Sequence, residues 1–127
     1  MEIKFAPRIA EMTADNILKD GGSSIKIADL SSPTDGYMVS FKNPTLIMES
    51  PTRESLIGNT AAFLMSNSAF AESLDDLYLG GWRDNEDGKV YIDFSVNIAE
   101  LASALEFARD NDQLAIFDVK GGKEIRL

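Results

Sequence analysis

The chain has 127 residues, 44% of them hydrophobic, and carries 21 acidic against 12 basic residues for a formal charge of −9. That length suits one domain burying roughly two-thirds of its unfolded surface. The charge repels phosphate backbones and anionic membrane surfaces, so neither direct nucleic-acid binding nor membrane association is expected. Histidine and cysteine are both absent, which removes the commonest general base, thiol nucleophiles, disulfides and the commonest metal ligands together. The first residues, Met1 to Phe5, hold no basic segment followed by an apolar run, and no stretch reaches the ~18 apolar residues of a membrane span. A soluble, cytoplasmic protein is expected.

In chain order, Ile3 and Phe5 alternate before Pro7, and Ile9, Met12, Ile17 and Leu18 then follow at a spacing that predicts a helix of about three turns ended by Gly21-Gly22. Ser23 to Ala28 alternates Ile25 and Ile27 with polar residues. A breaker run from Ser31 to Gly36 separates it from Tyr37 to Phe41, so two strands joined by a loop are expected. Asn43-Pro44 interrupts again, and Thr45 to Met48 reads as a short third strand.

Ser50-Pro51 offers a hydroxyl N-cap and a proline at the first helical position, and Leu56, Ile57, Thr60, Ala61, Phe63 and Leu64 continue at helical spacing. Gly58 inside this run suggests a close packing contact, since it weakens a helix by about 1 kcal/mol relative to alanine. Residues 69–76 read as an irregular or helical link.

The second half carries the clearest pattern. Leu77, Leu79 and Gly81 alternate with Tyr78, Gly80 and Trp82; after Asp84-Asn85-Glu86-Asp87-Gly88, Val90, Ile92, Phe94 and Val96 alternate with Tyr91, Asp93, Ser95 and Asn97. This predicts a hairpin with one core face and one wet face, closed by Gly88 at positive φ. Asn97 with Glu100 has the spacing of a capping box, placing a helix start at Ile98 and an apolar stripe on Ile98, Leu101, Leu105 and Ala108. Leu114, Ile116 and Asp118 alternate with Ala115, Phe117 and Val119, and Gly121-Gly122 reads as a two-residue turn into a last short strand. The fold class expected is α+β: a single domain, residues 1–127, with an antiparallel sheet of about five to seven strands and two or three helices packed on one face.

Chemistry is sparse in this pattern. No phosphate-binding glycine motif occurs. Gly88 at position 6 of a calcium loop would put Arg83 at position 1 and Phe94 at position 12, neither of which ligates. Asp84, Glu86 and Asp87 therefore read first as a solvated hairpin tip and second as a weak hard-cation site. Asp93 and Asp118, on strands expected to be neighbours, are the one carboxylate pair to weigh for hydrolysis. No catalytic residue, cofactor or metal is expected.

Trp82, the only tryptophan, either packs on a helix or sheet edge or anchors a partner, and Tyr37, Tyr78 and Tyr91 share that ambiguity. The partner-binding hypothesis falls on Trp82, Arg83, Asp84, Glu86 and Asp87. It assumes a basic protein partner for an acidic surface whose simpler role is solubility, and it leaves the oligomeric state open, a dimer included.

Three segments, PTDGYMVSF at 33–41, YLGGWRDNEDGKVYIDFS at 78–95 and DNDQLAIFDVKGGKEI at 110–125, resemble a small domain of undefined activity that recurs in proteins of phages and other mobile elements. The resemblance spans about two-thirds of the chain, excludes the first 30 residues and carries no catalytic residues across. It implies a phage or mobile-element protein that acts by binding: an acidic inhibitor of a host nucleic-acid-handling or defence protein in the host cytosol, or an interaction module of a phage particle or polyvalent protein.

Overall fold

Six strands form one antiparallel sheet in the order β1-β3-β4-β2-β5-β6 in the computed structural model, which describes residues 5–127. The elements are α1 (Ala6–Asp20), β1 (Gly22–Lys26), β2 (Tyr37–Glu49), α2 (Arg53–Ser66), α3 (Ser68–Ala71), β3 (Tyr78–Arg83), β4 (Lys89–Ile98), α4 (Leu101–Asp110), β5 (Ala115–Asp118) and β6 (Lys123–Arg126). This is the expected α+β class. Among the described residues, no helix is long and apolar enough to cross a membrane.

The helices share one side of the sheet because the strands' alternation leaves them one apolar face. Leu79 on β3 and Val90, Ile92 and Phe94 on β4 are fully buried with Ile9 and Ile17 of α1 and Leu56 and Leu64 of α2. Farther along the same face, Val39 of β2 and Ile116 of β5 pack on Ala104 and Ala108 of α4. Phe41 joins the two clusters, edge-on to Phe70 of α3 at 5.3 Å and to Phe107 of α4 at 5.2 Å. Helix α1 ends as its sequence predicts, with Gly21 left-handed at φ 79° and donating its N–H to the Ile17 carbonyl at 2.9 Å. Ile3, half of the expected N-terminal alternation, lies outside the described residues.

Several local expectations are corrected. The strands expected at 37–41 and 45–48 are one 13-residue strand. On β2, Ser40 pairs with Ser95 and Thr45 with Asp93, so residues 41–44 bulge against Phe94 alone. The step from 40 to 45 is odd, which moves the inward positions from 37, 39 and 41 to 46 and 48. That change of phase is what reads as a break in the sequence.

The cap of α2 is Thr52, whose hydroxyl oxygen accepts from the Ser55 N–H at 3.1 Å, rather than Ser50, which sits at φ 41°. Strand β4 runs through Ile98, so α4 starts later than expected and Glu100, not Asn97, is its first flanking residue. Asn97 instead donates its side-chain amide to the Asp35 carbonyl at 2.7 Å. The stripe of α4 shifts with it: Ala104 and Ala108 are buried, Leu105 packs beside them, and Leu101 is 42% exposed. The β5–β6 connection is residues 119–122 rather than a two-residue turn, with the Asp118 carboxylate accepting from the Gly121 N–H at 3.0 Å. Gly58 faces open space and makes no close contact.

These placements fix expected stabilities, read from urea midpoints. Leu79→Ala costs about 2–5 kcal/mol, as a fully buried truncation, whereas Leu101→Ala stays below about 1 kcal/mol. Gly58→Ala raises stability by up to about 1 kcal/mol, because alanine is the better helix former and meets no neighbour. A Leu101→Ala loss matching that of Leu79→Ala would contradict the placement of α4.

Candidate functional site

The sheet face turned away from the helices is where polar and aromatic side chains gather. Cross-strand register lays them out in three rows. Gly22, Trp82, Tyr91 and Ile47 form one; Ser24, Gly80, Asp93 and Thr45 the next; Lys26, Tyr78, Ser95 and Ser40 the third. In the first row the Trp82 and Tyr91 rings stack at 4.8 Å and 13°. Trp82 remains 46% exposed and Ile47 56% exposed. Trp82 therefore packs on no helix; it and Ile47 put apolar surface into solvent near the end of the sheet that carries the β3–β4 loop.

The middle row is low, because its side chains are short. Glycine at 80 admits this close approach: a Cβ there would stand 2.8 Å from Asp93 Oδ1 and 3.4 Å from Ser95 Oγ, so Asp93 would have to shift. Asp93 thus lies over the bare backbone of β3 instead of extending into water. Burial pushes its carboxyl up from the ordinary 3.8 to about 7, partly opposed by a hydrogen bond from the Ser40 hydroxyl. Among the described residues no basic side chain pairs with it. Ser95 is 3% exposed, and its Oγ has no hydrogen-bond partner, an arrangement folded proteins rarely leave unanswered.

The residues singled out from the sequence do not form one surface. Arg83 has the opposite orientation to Trp82 and lines a shallow pocket with Ile17, Leu18, Ser50 and Pro51 on the helix side. Asp84 and Asp87 use their carboxylates within the hairpin loop, accepting from the Glu86 N–H at 2.8 Å and the Lys89 N–H at 2.9 Å. Gly88, at φ 74°, closes that loop as expected. Among the described residues, no three acidic side chains converge as metal ligands. Asp93 and Asp118 are not on neighbouring strands, since β2 lies between β4 and β5, so the carboxylate pair is not assembled.

Asp93 itself was legible only as an acid on a wet face. Its environment depends on Gly80 directly across the strand pair, and the paired glycines in YLGGW were the available signal: one admits Asp93, while the other, Gly81, admits Ile17 and Ile92 from the opposite side.

Comparison with protein-family models, with curated protein sequences and with solved structures returned no match.

The raised Asp93 pKa has a definite sign. The native state holds a proton that the unfolded chain has already released, so stability is highest below the ordinary carboxylate range and falls as pH rises from about 4 to about 7. The other titratable side chains of the three rows are Lys26, Tyr78 and Tyr91; the same face carries Glu49 and Lys89, paired at 3.9 Å two residues beyond Tyr91, and Glu124 and Arg126, paired at 2.8 Å on the far edge strand β6. Asp93→Asn, which cannot ionise, is expected to match wild type near pH 4 and to exceed it by more than about 1 kcal/mol at pH 8. Urea unfolding at the two pH values measures this; an equal difference at both would show that Asp93 ionises as an ordinary surface carboxylate.

Proposed function

We propose that the chain is a non-enzymatic binding protein that docks a basic protein partner on the helix-free face of its sheet. The observation that carries this reading is the exposed Trp82–Tyr91–Ile47 row on a face that, among the described residues, no helix covers. Stacked aromatic rings supply contact area at little loss of side-chain freedom, and such residues dominate interface centres. The charge of −9 selects a basic partner and speeds its approach. The acidic hairpin tip lies beyond Trp82 along β3 and contributes to that long-range field through Asp84, Glu86 and Asp87 rather than as a contact patch.

The resemblance to phage and mobile-element domains supplies the biological context of the proposal: inhibition of a host nucleic-acid-handling or defence protein in the host cytosol. The same face would equally serve an assembly module of a phage particle, and partner identity separates the two.

The test is parallel capture from host lysate with four immobilised baits: wild type, Trp82→Ala, Ile47→Asp and the distant control Glu106→Ala, each checked for folding by circular dichroism. The expected result is a basic protein held by wild type and Glu106→Ala, lost from the other two, and eluted between about 50 and 300 mM salt as screening shortens the attraction. Retention by all four baits alike, or recovery of no protein that depends on Trp82, would overturn the reading.

A further inference from the structure

The low middle row of this face has the makings of a specific subsite, and the inference drawn from it rests on the docking reading above. We propose that Asp93, with the Ser40 and Ser95 hydroxyls, accepts the guanidinium of one arginine side chain of the partner, held against the Trp82–Tyr91 ring pair.

Four independent features converge on that chemistry. Gly80 leaves room for the carboxyl at the floor of the face, with Asp93 Oδ1 2.8 Å from the position a side chain would occupy. Among the described residues the carboxyl has no cation of its own, and an unpaired carboxylate in a desolvated setting is stabilised strongly by an incoming positive charge. Beside it, Ser95 Oγ is buried without a partner, an acceptor that a guanidinium N–H satisfies. The flanking row then presents two stacked rings, the surface on which a planar guanidinium packs better than an ammonium. The occupant is therefore an arginine rather than a lysine, and a bidentate contact with the carboxylate sets its orientation.

Binding in this site requires ionised Asp93, so it strengthens as pH rises through about 7. The group that weakens the free protein above neutral pH is the one the partner's cation would neutralise. Lys26, at the end of the third row beside Tyr78, is the only basic side chain in the three rows and stands two strands from Asp93.

The experiment titrates Nα-acetyl-arginine amide into the isolated protein. Its readouts are the fluorescence of the single tryptophan, Trp82, and the carbon-13 shift of the Asp93 carboxyl. A saturable response with a millimolar constant is expected at pH 8.5, weakened at least tenfold at pH 5.5 and in Asp93→Asn, and weakened severalfold in Ser95→Ala. The lysine derivative should bind less tightly and Nα-acetyl-glutamine amide not at all. Absence of a saturable response in the wild-type protein up to about 50 mM, or a response that Asp93→Asn leaves unchanged, would overturn the cation site. If Trp82-dependent capture of a partner survives that result, the docking reading stands without the arginine subsite. If capture also fails, the face itself is not an interface.

Discussion

The bulge in β2 is the constraint on which the rest of the architecture depends. A 13-residue strand with uninterrupted alternation would keep one parity inward throughout, and the chain instead has apolar residues at Tyr37, Val39 and Phe41 and then at Leu46 and Met48. Setting four residues against Phe94 reconciles the two halves, so both bury their apolar side chains on the helix side. The same change of phase turns Ser40 and Thr45 together to the other face, where they flank Asp93. Without the bulge, either the packing of Met48 or the polar surroundings of Asp93 would be lost. Asn111 and Asp112 after α4 hold the segment, accepting from the Lys42 N–H at 3.2 Å and its ammonium at 2.6 Å.

Sequence pattern was most informative where alternation and turn chemistry agreed. Residues 77–96 carry both, and β3, β4 and the loop closed by Gly88 follow from them directly. Helix α2 was legible from Leu56, Thr60 and Leu64, and α1 from Ile9, Ile17 and its terminal glycine. Helix ends were less so, because capping residues compete: Ser50 and Thr52 both offer hydroxyls, and only backbone geometry chooses between them. Asn97 has the composition of a cap, yet pairing of β4 with Met38 keeps it in the sheet, and its amide is taken by the loop at Asp35. Leu101 looked like core by spacing alone, since spacing does not say which small residues, here Ala104 and Ala108, lie closest to the sheet.

The candidate site was legible in part. Alternation placed Trp82, Tyr91, Asp93 and Ser95 on one face, and that face exists. Strand order was not available from local pattern, so the Asp93–Asp118 pairing failed and the neighbours of Asp93 could not be named. Carboxylates drawn together in sequence, Asp84, Glu86 and Asp87, drew attention that geometry redirects to a single acid held among hydroxyls. Proximity along a loop says little about burial, whereas a glycine opposite a carboxylate determines it.

The two apolar clusters also bear on how the molecule comes apart. Strand β5 pairs with β2 at Tyr37 and Met38, with the Val119 N–H donating to the Gly36 carbonyl just beyond, and the smaller cluster that seats this end has a buried centre of Val39, Ala104, Ala108 and Ile116 ringed by the partly buried Tyr37, Ile98, Leu105, Phe107 and Ile125. The hairpin of β5 and β6 is thus joined to the sheet over a short pairing, while β3 and β4 pair with each other along six residues and lie under α1 and α2. The C-terminal hairpin and α4 are tied to the larger core through Phe41, edge-on to Phe107, and through Lys42, bound to Asn111 and Asp112, so any opening of that end has to break those links first. The exposed row of Trp82, Tyr91 and Ile47 lies on β3, β4 and β2 over the larger core, so the face proposed for docking rests on strands that such an opening leaves in place.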